Sequence, residues 1–250
     1  MAEAIPKKRF SDRPVEAYLC GRCKKGHLTP EPDSFAAEEP GFSANARDGD
    51  FWEPDWLEYR FTFRCRCSNS KCGEISFVAG SGVLDQRYDY DGQPEYFDSF
   101  KIHSFFPAPY LAEVPRELPD KVLKSLERSF LLYWADTSAA ANALRASLEF
   151  VLDELKVPRT QKRDDGSEHR LNLHQRIDAA EKQKPELKDL FLALKDVGNL
   201  GSHGGDVADG DYSDAVEIFA HILTSLFQDD AKRIKELAQK LSAKMKEGGK

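Results

Sequence analysis

The sequence predicts an α+β protein: a small β-rich, zinc-ribbon-like N-terminal module followed by an all-α helical bundle. Three observations lead to that expectation. All five cysteines fall between Cys20 and Cys72. Apolar alternation with a period of two marks the region up to about residue 108. From Asp120 onward, apolar residues recur at three- and four-residue spacing. The expected division is residues 1–108 for the four-cysteine module, 109–119 for a proline-rich connector and 120–245 for the bundle.

A chain of 250 residues that is 40% hydrophobic is long enough to bury one substantial core or two small ones, which excludes disorder as its main state. No apolar run approaches the roughly 20 residues needed to span a bilayer, and MAEAIPKKRF lacks a secretory apolar stretch. The expectation is therefore a cytoplasmic protein with no membrane partner. The formal charge of −7 argues against a generic DNA-coating protein, because such a surface repels phosphate unless its cations are concentrated locally. They are unevenly spread. Residues 1–28 hold seven basic side chains against Glu3, Asp12 and Glu16, whereas 29–60 hold nine acids against Arg47 and Arg60.

In the first module, FTFRCRC (61–67) places Phe61, Phe63 and Cys65 on one strand face. Asp91-Gly92 suits a tight hairpin turn, and the acidic stretch AAEEPGFSANARDGD reads as an exposed loop. Cys20-Gly-Arg-Cys23 puts two thiols on one tight turn, and Cys67-Ser-Asn-Ser-Lys-Cys72 supplies a second pair at a strand end. An odd cysteine count, clustered and in a reducing compartment, favours a metal over disulfides. Cys20, Cys23, Cys67 and Cys72 would close one structural Zn²⁺ site with no open position for water, stapling a small module rather than performing catalysis. Cys65 is either a buried thiol or a replacement for Cys67, and His27 is a further possible substitute.

X-Pro pairs in FFPAPYLAEVPRELPD keep the chain extended until Asp120 can cap a helix to about Trp134. Thr137 or Ser138 would cap a second helix, which carries Ala140, Leu144, Leu148, Val151, Leu152 and Leu155 inward and ends at Pro158. PRTQKRDDGSEHR (158–170) reads as a loop. Helices are expected over 172–182 and 185–197, the latter stopped by Gly198 with Asn199 as capping chemistry, and a last core helix is marked by Ala215 through Leu226. Ile234, Leu237 and Leu241 continue that helix or pack separately. Asp206, Asp209 and Asp211 lack the remaining ligand of a calcium loop and read as a turn opening a helix. No Walker loop, dinucleotide fingerprint or nucleophile elbow is present.

The order of a cysteine-pair module, a connector ending LPDKV, the helix AAANALRASLEFVLDEL and the segment LKDVGNLGSHGG resembles the prokaryotic family called domain of unknown function 4145, from Cys20 to about Phe227. That family is similar to the HEPN superfamily of helical bundles, and the resemblance implies RNA cleavage or binding in defence systems, with homodimerisation. Its most specific parts here are Arg145 with Glu149, and Gly198-Asn199-x-x-x-His203. Active HEPN ribonucleases carry an arginine, usually followed by a polar residue, four to six positions before the histidine. Asn199 and His203 match the latter two, but Gly198 stands where the arginine is expected. Metal-free RNA cleavage needs a group titrating near neutrality and a cation for the growing phosphate charge; His203 supplies the first, with Lys195 or Arg145 as candidates for the second. The functional expectation is a zinc-containing HEPN-like module of prokaryotic defence that binds RNA or a defence-system protein partner. Its binding face would be the Asn199–His203 loop with Arg22, Lys24 and Lys25. An active ribonuclease using His203, and a structural dimerising subunit, are the other two readings.

Overall fold

The computed structural model describes residues 7–11, 13–14, 16–163, 166–202, 205–228, 234, 237–239 and 241. The protein is α+β, as predicted. Its N-terminal strands are β1 (Arg9–Ser11), β2 (Tyr18–Leu19), β3 (His27–Pro30), β4 (Ala36–Glu38), β5 (Glu58–Cys67), β6 (Ile75–Tyr88) and β7 (Pro94–Phe106), with a short helix α1 (Gly41–Ala46) between β4 and β5. They form one antiparallel sheet in the order β1-β7-β6-β5-β3-β2, with β4 also paired to β5. The helices that follow are α2 (Asp120–Tyr133), α3 (Thr137–Glu154), α4 (Leu173–Glu181), α5 (Lys188–Ser202) and α6 (Asp209–Phe227).

Alternation along β5 is strict. Phe61, Phe63, Cys65 and Cys67 are buried, while Arg60, Thr62, Arg64 and Arg66 are exposed. Phe10, Phe35 and Phe100 complete an aromatic cluster with Phe61 and Phe63, with ring centroids 5.2–6.4 Å apart, distances at which edge-on and offset contacts add to simple burial. The β6–β7 hairpin turns where Asp91-Gly92 predicts. Gly92 adopts φ +76°, and Asp89 Oδ1 accepts from the Asp91 and Gln93 amides at 2.9 and 2.7 Å.

The inner sheet face and the helices share one core. Trp134, 1% exposed at the end of α2, packs on Tyr18 (5.7 Å) and Phe105 (5.0 Å) from the sheet and on Tyr133 (5.3 Å). Lys8 crosses the same junction. Its ammonium, 4.2 Å from the Tyr133 ring centroid, donates to Thr137 Oγ1 at 2.5 Å and to Asp209 Oδ1 at 2.8 Å, tying the sheet's edge to the first turns of α3 and α6. Burial pulls the Lys8 amine below its ordinary value, and the Asp209 carboxylate opposes that pull.

Several local expectations are corrected. The 158–170 segment contains a hairpin of β8 (Thr160–Lys162) and β9 (Glu168–Arg170), short and exposed strands whose hydrophobic pattern gave no signal. The acidic stretch after residue 35 holds β4 and α1, the latter fixed by buried Ser43, which donates to Glu39 and accepts from the Glu58 amide. Asp120 is the first helical residue of α2 rather than its cap, which is Pro119, and α3 is capped by Asp136, whose side chain accepts from the Ala139 amide at 2.9 Å. Helix α5 does not stop at Gly198 but runs through Asn199 to Ser202, so Asn199 is helical rather than a cap. The reason lies in packing. A Cβ at Gly198 would meet Arg145 Cβ at 2.4 Å, and one at Gly201 would meet the Ser138 carbonyl at 2.4 Å, so these glycines let α5 lie close against α3.

Removing the Trp134 side chain empties the sheet–helix junction. Trp134→Ala is expected to lower stability by about 3–5 kcal/mol, read from the midpoint of urea unfolding.

Candidate metal centre and helical site

The first knuckle is built by the chain reversal after β2. The Cys20 amide donates to the Gly26 carbonyl at 2.9 Å, Lys24 takes φ +51°, and the Gly26 amide donates to Cys23 Sγ at 3.3 Å. Gly26 is needed here, because a Cβ would sit 2.7 Å from Cys67 Sγ. The second knuckle follows β5. The Cys72 and Gly73 amides donate to the Asn69 carbonyl, and Gly73 takes φ +61°. Pairing of β3 with β5, Leu28 opposite Cys67, then sets the two turns side by side.

The result is a cluster of four sulfurs, Cys20, Cys23, Cys67 and Cys72, all within 4.8 Å of one another, a set that could hold a metal ion. Cys20 Sγ lies 3.9 Å from Cys72 Sγ, and Cys23 Sγ lies 3.7 Å from Cys67 Sγ. Without an ion the thiols titrate apart. Hydrogen bonding from the Gly26 amide lowers Cys23 to about 6, whereas burial pushes Cys67 up to about 12 and also raises Cys20. Four thiolates this close are stable only around a cation, so metal uptake releases protons and weakens as pH falls. Cys65 is not part of the cluster. It lies fully buried in the sheet core, where desolvation pushes its thiol up to about 12. His27 is exposed, with its amide bonded to Ser68 Oγ. Of the nearby cations, Lys24 Nζ lies 4.8 Å from the Tyr110 ring centroid and Arg22 faces Glu74 at 3.5 Å.

In the helical half, the structure brings Arg145 to the position where its stem covers Gly198, one residue before Asn199. Its guanidinium contacts Asn142 Oδ1 at 3.3 and 3.4 Å and stands 3.9 Å from Glu149. Glu149 is shared more widely, at 3.9 Å from both Arg159 and Arg176. Lys195 is not brought to this place. Its ammonium contacts Asp196 at 2.8 Å and His174 Nδ1 at 3.5 Å, towards α4. Asn199 is half-buried on α5, and His203 lies outside the described residues.

Sequence reasoning missed the charges behind Glu149. Arg176, 2% exposed, donates to Asp153 Oδ1 at 2.7 Å and to the Glu149 and Val157 carbonyls at 3.3 and 3.2 Å. Burial pushes the Asp153 carboxyl up, but hydrogen bonds from Arg159 and Arg176 outweigh it and hold the group below its usual range. The available signal was Arg176 itself, which falls on the same helical stripe as Leu173, Ile177 and Ala180.

Fold and site together define a two-part protein, a sheet module clipped by a four-thiol centre and packed onto a helical bundle. The helical half matches the family model described as Domain of unknown function (DUF4145) over residues 127–247. The family's extent is narrower than the sequence pattern suggested. Residues 8–110, cysteines included, match a separate family model, Domain of unknown function (DUF8608). No curated protein and no solved structure matches the chain.

Two outcomes follow from this geometry. Cys67→Ser should abolish one-to-one metal binding and lower the unfolding temperature, whereas Cys65→Ser should keep full metal content; elemental analysis of the purified variants checks both. Gly198→Ala improves intrinsic helix propensity by about 1 kcal/mol yet should destabilise by about 1–3 kcal/mol overall, because the added methyl collides with Arg145; thermal unfolding decides the sign.

Proposed function

We propose that this protein is a zinc-containing, HEPN-like module of prokaryotic defence that binds RNA without cleaving it. The observation that carries the reading is the contact of Arg145 with Gly198. The cation-bearing position before Asn199 has no room for an arginine, and the neighbouring helix presents Arg145 there instead, paired loosely with Glu149. A guanidinium shared with a carboxylate and an asparagine is placed to meet a phosphate. Zinc is the metal we assign to the thiol cluster. Tetrahedral thiolate coordination at about 2.3 Å per bond puts sulfurs about 3.8 Å apart, in keeping with the 3.7 and 3.9 Å pairs. Such a site supplies folding energy and keeps no position for substrate.

The association with defence rests on the likeness of the DUF4145 family to HEPN bundles. Homodimerisation is favoured by Ile234, Leu237 and Leu241, spaced three and four apart and exposed. A ribonuclease built on His203, with Arg145 as its cation, is the second reading, and it differs from the first only in whether His203 transfers a proton. Docking onto a defence-system protein partner through the helical face is the third.

Native mass spectrometry should show one zinc per chain and a dimer. Structured and single-stranded RNA should bind at low salt and weaken as salt rises, while cleavage by the wild type and by His203→Ala should be equally negligible. Cyclic-phosphate products made by the wild type and lost in His203→Ala would establish the nuclease instead.

A further inference from the structure

The face of the sheet turned away from the helices meets solvent, and its register sets rows of side chains across four strands. One row runs Arg9, Lys101, Ser81 and Arg60 over β1, β7, β6 and β5. A second runs Ser104, Ala79 and Thr62, and a third runs Phe106, Phe77 and Arg64. The register shift at Ala79/Gly80 brings His103 onto this face, where its Nε2 lies 2.8 Å from Ser81 Oγ. A shallow depression of about 420 Å³ opens between the first two rows, lined by Glu58, Arg60, Ser81, His103 and Ser104.

The charges here are not balanced. Arg9 and Lys101 sit directly opposite one another on neighbouring strands, a placement in which like charges destabilise the sheet. Among the described residues neither has an ion-pair partner. The other cations are held: Arg60 by Glu58 at 2.9 Å, and Arg64 and Arg66 by Glu31 at 3.0 and 2.5 Å, while Glu38 stands opposite Arg60 on β4. Two cations with no carboxylate at ion-pair distance among the described residues thus stand at the edge of the depression, Lys101 acting on the Asp209 carboxylate only from farther off. His103 registers it: its ring is held below its ordinary value first by burial and then by Lys101, Arg60, Arg9 and Lys8. At the other end of the face Phe77 and Phe106 stand side by side, 61% and 63% exposed, about 13 Å away by the rise of four strand residues.

We propose that this open sheet face binds single-stranded nucleic acid. A backbone phosphate sits at the edge of the depression on Arg9 and Lys101 with the hydroxyls of Ser81 and Ser104, and a base stacks on the Phe77–Phe106 pair. Stacking of this kind requires unpaired bases and tolerates any sequence, since every base has a flat face. The inference rests on the RNA-binding reading and gives it a second contact surface. Lys8, next to Arg9, is bonded to Asp209 at the start of α6, so the cation row ends near the chain that follows the Asn199 segment. The cations at the metal centre suit the role less well, because four thiolates around a divalent ion leave net negative charge for Arg22 and Lys24 to offset.

The test is fluorescence anisotropy of the full chain with a labelled short oligouridylate, the corresponding duplex, and AMP or inorganic phosphate as competitors. The single strand should bind and the duplex should not. Two cation–phosphate contacts predict about 7-fold weaker binding between about 50 and about 200 mM salt. Lys101→Ala should flatten the logarithmic salt slope by about 0.7, and Phe77→Ala or the apolar Phe77→Leu should weaken binding about 5-fold or more with the slope unchanged. Circular dichroism confirms that each exposed-site variant is folded. No binding by the wild type at low salt overturns this inference and the RNA reading together. Wild-type affinity in Lys101→Glu and Phe77→Ala, with loss in Arg145→Ala, overturns this inference alone and leaves the helical site. AMP displacing the oligonucleotide at equal affinity would overturn it in favour of a mononucleotide. A dimer broken by Phe77→Ala, with no oligonucleotide binding, would overturn it in favour of a contact between two copies.

Discussion

The alternation of β5 is the constraint on which the rest of the structure depends. One face of this ten-residue strand supplies Phe61, Phe63 and Cys65 to the core and, at its last position, Cys67 to the metal centre; the other supplies Arg60, Thr62, Arg64 and Arg66 to solvent. A slip of one residue would exchange the two sets. It would drive three arginines into an aromatic core and pull one sulfur out of a four-sulfur cluster. The flanking strands repeat the same division, so core, clip and charged outer face are consequences of a single register.

Two buried cations then do at the junctions what apolar packing does elsewhere. Lys8 joins the sheet's edge strand to the starts of α3 and α6, and Arg176 joins α4 to the end of α3. Neither is cheap to bury, and removing one partner from such a pair leaves an uncompensated charge. These pairs fix which elements meet and in what orientation. Arg145 lies at the edge of the Arg159–Asp153–Arg176 network, 3.9 Å from the shared Glu149, and its stem packs over Gly198.

Much of this was legible in the sequence because it was local. Alternation in FTFRCRC, the Cys20–Cys23 turn, the Asp91-Gly92 hairpin and the helical stripes each lie within one element, and each reads through at the expected place. What was not legible depends on partners far along the chain. Gly198 reads as a stop signal by itself, and only the proximity of Arg145 shows that it is a contact point inside a continuous helix. Lys8 and Asp209, 201 positions apart, carry no mutual signature in sequence. The β8–β9 hairpin was invisible because its strands are short and polar, with only His169 half-buried, and so have no apolar pattern.

The 43 residues separating Cys23 from Cys67 include the most acidic part of the chain, strands β3 and β4 and most of β5. An ion bound at both knuckles turns that span into a closed ring. By the chain-entropy argument used for cross-links, closing a loop of this length restricts the unfolded ensemble by about 4 kcal/mol. The leverage of such an ion would thus grow with the length of chain it encircles, and an acidic insertion would be tethered at both ends by one atom.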